Sequence, residues 1–230
     1  MERTIFTIGH STHPQEYFIN LLSRHGITAL CDVRSMPYSR MNPQFNREVL
    51  KEALRAHGFA YRFLGKELGA RSDDPDCYEA GKVRYARLAE TELFKRGLKR
   101  IIRGMEENFR IALMCAEKEP LECHRTILVA RYLTALGFNV EHILADGRLE
   151  SHTASVSRLA QMHNLLEEDM FRSREDLLAE AYSRQEERIA YDAGRTEINP
   201  SVSQASCELP LRSSRSARVP GTSHTPRALL

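Results

Sequence analysis

Apolar runs of five to seven residues alternate, over the first 150 positions, with stretches whose apolar residues recur every three or four. That alternation predicts strands and helices in turn. Residues 4–8, 27–33, 59–64, 109–115 and 139–144 read as strands, rich in β-branched and aromatic side chains. Pro14 opens a helix with Tyr17, Phe18, Leu21 and Leu22 on one face and Gly26 as its stop. Val49, Leu50, Ala53 and Leu54 mark a second helix ended by Gly58, and residues 126–136 a later one ended by Gly137. Between them, 65–82 breaks into Gly, Asp, Ser and Pro and reads as a long loop, and 83–108 reads as two helices parted near Gly97. Asp146-Gly147-Arg148 reads as a turn, and 153–171 and 174–191 as two further helices.

Strands joined by short helical crossovers predict an α/β fold: an open, mostly parallel sheet of about five strands flanked by helices in three Rossmann-like layers. The expected organisation is an α/β domain over 1–150, a helical extension over 151–194 and a disordered tail over 195–230. The tail has four prolines, seven serines and little to bury after Thr196.

Charge narrows the function. The formal charge is +2, but 193–230 holds five arginines against two acidic residues, so the body is nearly neutral. A neutral body offers no extended footprint for nucleic acid, which stays a possible but disfavoured partner. Five cysteines at irregular spacing, with no signal peptide ahead of them, indicate reduced thiols in a cytoplasm. No apolar segment approaches the roughly 20 residues that cross a bilayer, so no membrane association is expected.

The chemistry gathers behind strands. His10 and Ser11 follow the first, Asp32 and Arg34 end the second with Ser39 and Arg40 close behind, and Cys115 and Glu117 follow the fourth. In a parallel sheet these share the carboxyl edge, where open sheets bind ligands and helix N-termini favour anions. Cys115 is the first candidate nucleophile. Cys123, His124 and Arg125 open the next helix and offer a second thiol, a proton carrier and an anion clamp. Other readings stay open. A cysteine ending an apolar strand is by base rate a core residue, His10-Ser11 suits capping, and Asp32-Arg34 suits a strand-end ion pair. Gly65-Lys-Glu-Leu-Gly69 lacks the spacing of a phosphate-binding loop. Cys115, Cys123, His124 and His10 could ligate zinc, but seven residues between the cysteines departs from structural zinc spacing, and no cofactor is expected.

These motifs together resemble the bacterial family called domain of unknown function 488. The resemblance rests on Thr7-Ile-Gly-His-Ser11, Asp32-Val-Arg34 with Pro37 and Ser39-Arg40, Phe45, Leu68-Gly69, Met114-Cys-Ala-Glu117, Cys123-His-Arg125 and His142-Ile143. It covers residues 4–143, implies a compact cytoplasmic α/β domain and strengthens the choice of site residues more than of reaction. A looser similarity, at the level of fold, is to rhodanese-like and thiol-phosphatase domains. Phosphatase loops place Arg six positions after the Cys, and here Arg125 is ten after Cys115, which argues against a phosphatase.

The expected function is that of a thiol-dependent enzyme, a transferase or hydrolase, acting on a small anionic or nucleotide-like substrate. Cys115, Cys123, His124, His10 and Asp32 are its catalytic candidates, and Ser11, Arg34, Ser39, Arg40, Glu117 and Arg125 its binding candidates. The alternatives are a non-catalytic module for nucleotide or nucleic-acid phosphate, and a Cys/His metal or redox sensor. The sequence leaves the oligomeric state open.

Overall fold

The structure is a computed structural model that describes residues 4–165 and 172–194. The tail expected over 195–230, and the end of the helix expected over 153–171, lie outside the described residues. Six strands form the main sheet: β1 (Thr4–Gly9), β2 (Ala29–Asp32), β3 (Ala60–Phe63), then β6 (Ile111–Cys115), β7 (Asn139–Ile143) and β8 (Leu149–Ser151). Between them a two-stranded hairpin, β4 (Tyr78–Glu79) and β5 (Lys82–Val83), stands apart. The main order is β3-β2-β6-β1-β7-β8, and all neighbours are parallel except β7 and β8. The five expected strands are therefore joined by a sixth. The turn read at Asp146-Gly147-Arg148 is the bend of its hairpin, held by Leu144 N–H donating to Arg148 O.

Helices cover both faces. α1 (Gln15–Arg24) and α2 (Arg47–Ala56) pack Phe18, Leu21, Leu22, Leu50 and Leu54 against Phe6, Ile8, Leu30, Ala112 and Met114. The opposite face, Ile5, Cys31, Ile111, Leu113 and Cys115, packs against Phe94, Leu98 and Ile101 of α5 (Glu92–Glu106) and Ile127 to Ala130. β6 is buried at every position because a central parallel strand has helices above and below it.

Details of the crossovers differ from the pattern. The 65–82 segment is not one open loop but holds α3 (Gly65–Leu68), a 3₁₀ turn and most of the β4–β5 hairpin. The break in the helical stretch falls at Thr91, between α4 (Tyr85–Glu90) and α5, where the Thr91 hydroxyl accepts from Phe94 N–H as an N-cap. Gly97 lies inside α5 instead, where a Cβ would sit 2.7 Å from Leu68 Cδ2 of α3, so it serves close helix packing. The helix expected over 126–136 begins as six residues of π-helix, Arg125–Ala130, and continues as α6 (Arg131–Ala135). α7 (His152–Met162) and α8 (Arg174–Ile189) fall with the sheet in one compact unit, Met1–Arg195.

α1 and α2, which follow β1 and β2, lie on one face, and the π-helix that follows β6 lies on the other. β6 sits between β1 and β2. The chain thus departs to opposite faces from adjacent strand ends, which opens a crevice at the carboxyl end of β6.

Candidate functional site

Cys115 is the last residue of β6, at that crevice. β1 and β6 stay paired past their ends, with His10 N–H donating to Cys115 O at 2.9 Å and Ser11 N–H to Ala116 O at 2.9 Å. Ser11 takes a left-handed φ of 49° to turn the chain away. Its carbonyl accepts from His10 Nδ1, and Ser11 contributes nothing else to the site.

The chain after β6 returns through a 3₁₀ turn, Pro120–Glu122, whose start is fixed by the Glu119 carboxylate accepting from Leu121 N–H. That turn delivers Cys123 and His124 beside Cys115. His124 Nε2 donates to Val33 O at 3.0 Å, which leaves Nδ1 facing the sulfurs, 3.6 Å from Cys115 Sγ and 3.9 Å from Cys123 Sγ. Cys123 Sγ donates to Glu117 Oε2 at 3.0 Å and accepts from Arg125 N–H at 3.4 Å. The two thiols are shifted in opposite directions. Burial, reinforced by the neighbouring Cys123, pushes the Cys115 thiol well above its ordinary range. Burial also opposes ionisation of Cys123, but donation from Cys115, the Arg125 charge and His124 outweigh it and hold Cys123 well below. Burial pulls His124 down, and Cys123 more than reverses this, so the imidazole is raised.

Arg125 does not occupy the anion-clamping position expected of it. It is 0 % exposed, with Nη1 donating to Glu117 O at 2.6 Å and Nη2 to Lys118 O at 3.2 Å, and Nε has no partner. Every residue of the π-helix 125–130 is buried. Its guanidinium therefore lies behind the sulfur pair as a fixed positive charge.

A second cluster stands beside the first. Arg34 Nε and Nη2 grip Asp32 Oδ1 and Oδ2 at 2.9 and 2.7 Å, and Nη2 also donates to Phe45 O. The Tyr61 hydroxyl donates to Asp32 Oδ2 as well. Arg34 Nη1 donates to His10 Nε2 at 3.1 Å, and the His10 ring stacks on Phe45 with centroids 4.3 Å apart. Both His10 nitrogens are thus engaged, and burial with the Arg34 charge lowers it to about 4. Asp32 orients Arg34, and His10 holds it from the other side.

A cavity of about 260 Å³ opens over these groups. Cys115, His124, Glu117 and Arg34 line it. Cys123, His10, Asp32 and Arg125 stand behind its wall, and Ser11, Ser39 and Arg40 do not line it. The Ser39 hydroxyl accepts from Met41 and Asn42 N–H in a turn, and Arg40 is exposed on the same loop. Among the lining residues that the sequence did not single out are Arg71, Tyr85, Glu122 and Tyr191. Arg71 is exposed and its guanidinium stacks on Tyr191 at 4.1 Å. Tyr85 is buried, and its hydroxyl has no hydrogen-bond partner. The signal for Arg71 was the polar 65–82 segment that carries it, whereas Tyr85 and Tyr191 read as ordinary helix-face residues.

The donor atoms of Cys115, Cys123 and His124 all lie within 4.8 Å of one another, a spacing that one soft metal ion could share. Among the described residues, no helix is long and apolar enough to cross a membrane, and Cys31, Cys77, Cys115 and Cys123 are free thiols.

The family model described as domain of unknown function DUF488 matches residues 14–133. No curated protein and no solved structure matches the chain.

Proposed function

Because the chain belongs to the DUF488 family, whose description names no reaction, we propose a function from the site: a thiol-dependent enzyme that uses Cys115 on a small anionic or nucleotide-like substrate. The observation that carries it is one sulfur at the cavity wall, 3.6 Å from an imidazole nitrogen. His124 Nδ1 takes the proton as Cys115 attacks, and Nε2 is held by Val33 O so that Nδ1 keeps its aim. Arg71 at the mouth and the remaining N–H of Arg34 receive the anion, with the orphan Tyr85 hydroxyl as a third donor. Asp32 and His10 act by positioning Arg34. The free thiols suit a reducing compartment such as the cytoplasm.

Iodoacetate, itself a small anion, tests this reading. Peptide mapping should show Cys115 carboxymethylated ahead of the equally buried Cys31, with inorganic phosphate slowing the reaction and Cys115→Ser abolishing it. Cys115 reacting no faster than Cys31 would overturn the assignment.

The three-donor spacing supports a second reading, a Cys₂His site for zinc with its open position toward the cavity. Elemental analysis of protein purified without chelator decides it: stoichiometric zinc supports the metal site, and metal-free protein that still alkylates at Cys115 eliminates it.

A further inference from the structure

Cys123 stands where nothing in the cavity touches it. It is 1 % exposed, and the cavity wall is made by Cys115 and His124 in front of it. A sulfur in that position is accessible to one electrophile, the sulfur of Cys115, once that sulfur has been modified. The two Sγ atoms lie within 4.8 Å, and a disulfide needs about 2.05 Å, a gap on the scale of one side-chain rotation. Cys123 Sγ is held in place by Arg125 N–H, from which it accepts at 3.4 Å, and by the Glu117 carboxylate, to which it donates at 3.0 Å and which can take its proton.

We propose that Cys115 and Cys123 form an exchangeable dithiol that reduces small anionic disulfides entering the cavity. The inference rests on the reading of Cys115 as the attacking thiol and adds its substrate class and its second step. In the first step Cys115 passes its proton to His124 Nδ1 and its sulfur attacks one sulfur of the substrate disulfide. That S–S bond breaks, the first half leaves as a thiolate and takes the proton back from His124, and a mixed disulfide remains on Cys115. In the second step Cys123 gives its proton to the Glu117 carboxylate that accepts from it and its sulfur attacks Cys115 Sγ, the mixed disulfide breaks, and the second half leaves as a thiolate that takes the proton from Glu117. Two electrons have moved from the protein dithiol to the substrate, which becomes two thiols, and the protein holds a Cys115–Cys123 disulfide. Two equivalents of a low-molecular-weight thiol, which end joined as their own disulfide, reduce that bond and complete the cycle. The anionic character of the substrate follows from Arg71, Arg34 and the unpartnered Tyr85 hydroxyl around the attacking sulfur. The order of the two steps follows from access: the sulfur that substrate reaches attacks first and the enclosed one resolves.

Oxidised glutathione, a disulfide with free carboxylates, is the probe. The full-length protein is reduced, freed of reductant, exposed to it and quenched with acid for intact mass and peptide mapping. The expected product is lighter by two hydrogens, with the peptides of Cys115 and Cys123 joined and two thiol equivalents released per chain. Cys123→Ser should stop at a stable glutathione adduct on Cys115 with one equivalent released. Wild-type protein that stops at that same adduct, or carries the adduct on Cys123, overturns the dithiol. Cys115 that takes iodoacetate but no glutathione overturns the exchange while leaving the thiol enzyme intact, and Cys115 inert to both removes both. Because the wild-type product decides the question, a folding defect in the variant does not blur it.

Discussion

At Gly9 a Cβ would lie 1.9 Å from Glu117 O and 3.3 Å from Arg125 Nη1. That carbonyl is the one that holds the buried guanidinium, so the missing side chain at the end of β1 is what lets a positive charge be fixed behind Cys123. Gly9→Ala has to displace the carbonyl, and overpacking of this kind costs about 1–3 kcal/mol. Urea unfolding should show a loss of that size, and an unchanged midpoint would mean that the 115–125 loop yields freely. Tyr85 predicts the opposite signature. Its buried hydroxyl lacks a partner, a condition that costs about 1–3 kcal/mol, so Tyr85→Phe should leave the free protein as stable or more so. If that hydroxyl serves the anion, the same variant should bind inorganic phosphate several-fold more weakly, and calorimetry with unchanged affinity would remove it from the site. The residue types at Cys115, His124 and Arg34 were legible from sequence because they trail strands whose ends share an edge. The direction of Arg125 was not. Helical periodicity assigns a face by 100° steps, and the π-helix over 125–130 breaks that step in the turn that carries it.

His142 of β7, His152 at the start of α7 and Tyr182 of α8 form one buried chain. Thr7 Oγ1 meets His142 Nδ1 at 2.7 Å, His142 Nε2 meets His152 Nδ1 at 3.2 Å, and His152 Nε2 meets the Tyr182 hydroxyl at 3.0 Å. Burial, with His152, Arg125 and Arg158 as the charges that face it, holds His142 well below its ordinary 6.5. Burial alone brings His152 to about 4. Both therefore stay neutral in the folded protein while the unfolded chain takes up protons below pH 6.5. Stability from the pair is complete above about 6.5 and is lost as pH falls toward 4, by up to about 1.4 kcal/mol per histidine per pH unit. The urea midpoint should drop between pH 7.5 and 5, and the double variant His142→Gln, His152→Gln should flatten that drop. His10 and His124 titrate in both proteins, so the difference isolates this joint, and equal slopes would refute it. Elements of strong period were readable: the central strand at 111–115 and α1 and α2 stand close to where the pattern puts them. β8 was missed because three residues, Leu149, Glu150 and Ser151, are too short to show alternation. The helix break was misplaced because a glycine that serves packing looks the same in sequence as one that ends a helix.

Across the whole molecule the apolar pattern announces which segments are strands but not their order. Insertion of β6 between β1 and β2 is a long-range choice, and it creates the switch point that makes the crevice. The edge where chemistry would gather was therefore legible, whereas the inner wall and the rim of the cavity were not separable from sequence. The family-matched stretch 14–133 does not close the site by itself either. His10 and Gly9 come before it, and Ile189, the last residue of α8, and Tyr191, which both line the cavity, come after it. The chain leaving α8 is tied to the β4–β5 hairpin, with Val83 N–H donating to Tyr191 O at 2.9 Å and Ala193 N–H to Gly81 O at 2.8 Å. This strap forms one side of the cavity and holds Tyr191 beneath the Arg71 guanidinium, an interaction worth about 0.5–1 kcal/mol at exposed sites. Tyr191→Ala removes the ring while the backbone bonds that fix the strap remain. The cavity is then open on that side and Arg71 loses the surface that orients it. Iodoacetate should reach Cys115 several-fold faster in this variant, while inorganic phosphate protects it less well at equal concentration. A rate and a protection both matching wild type would show that the strap packs beside the site without closing it.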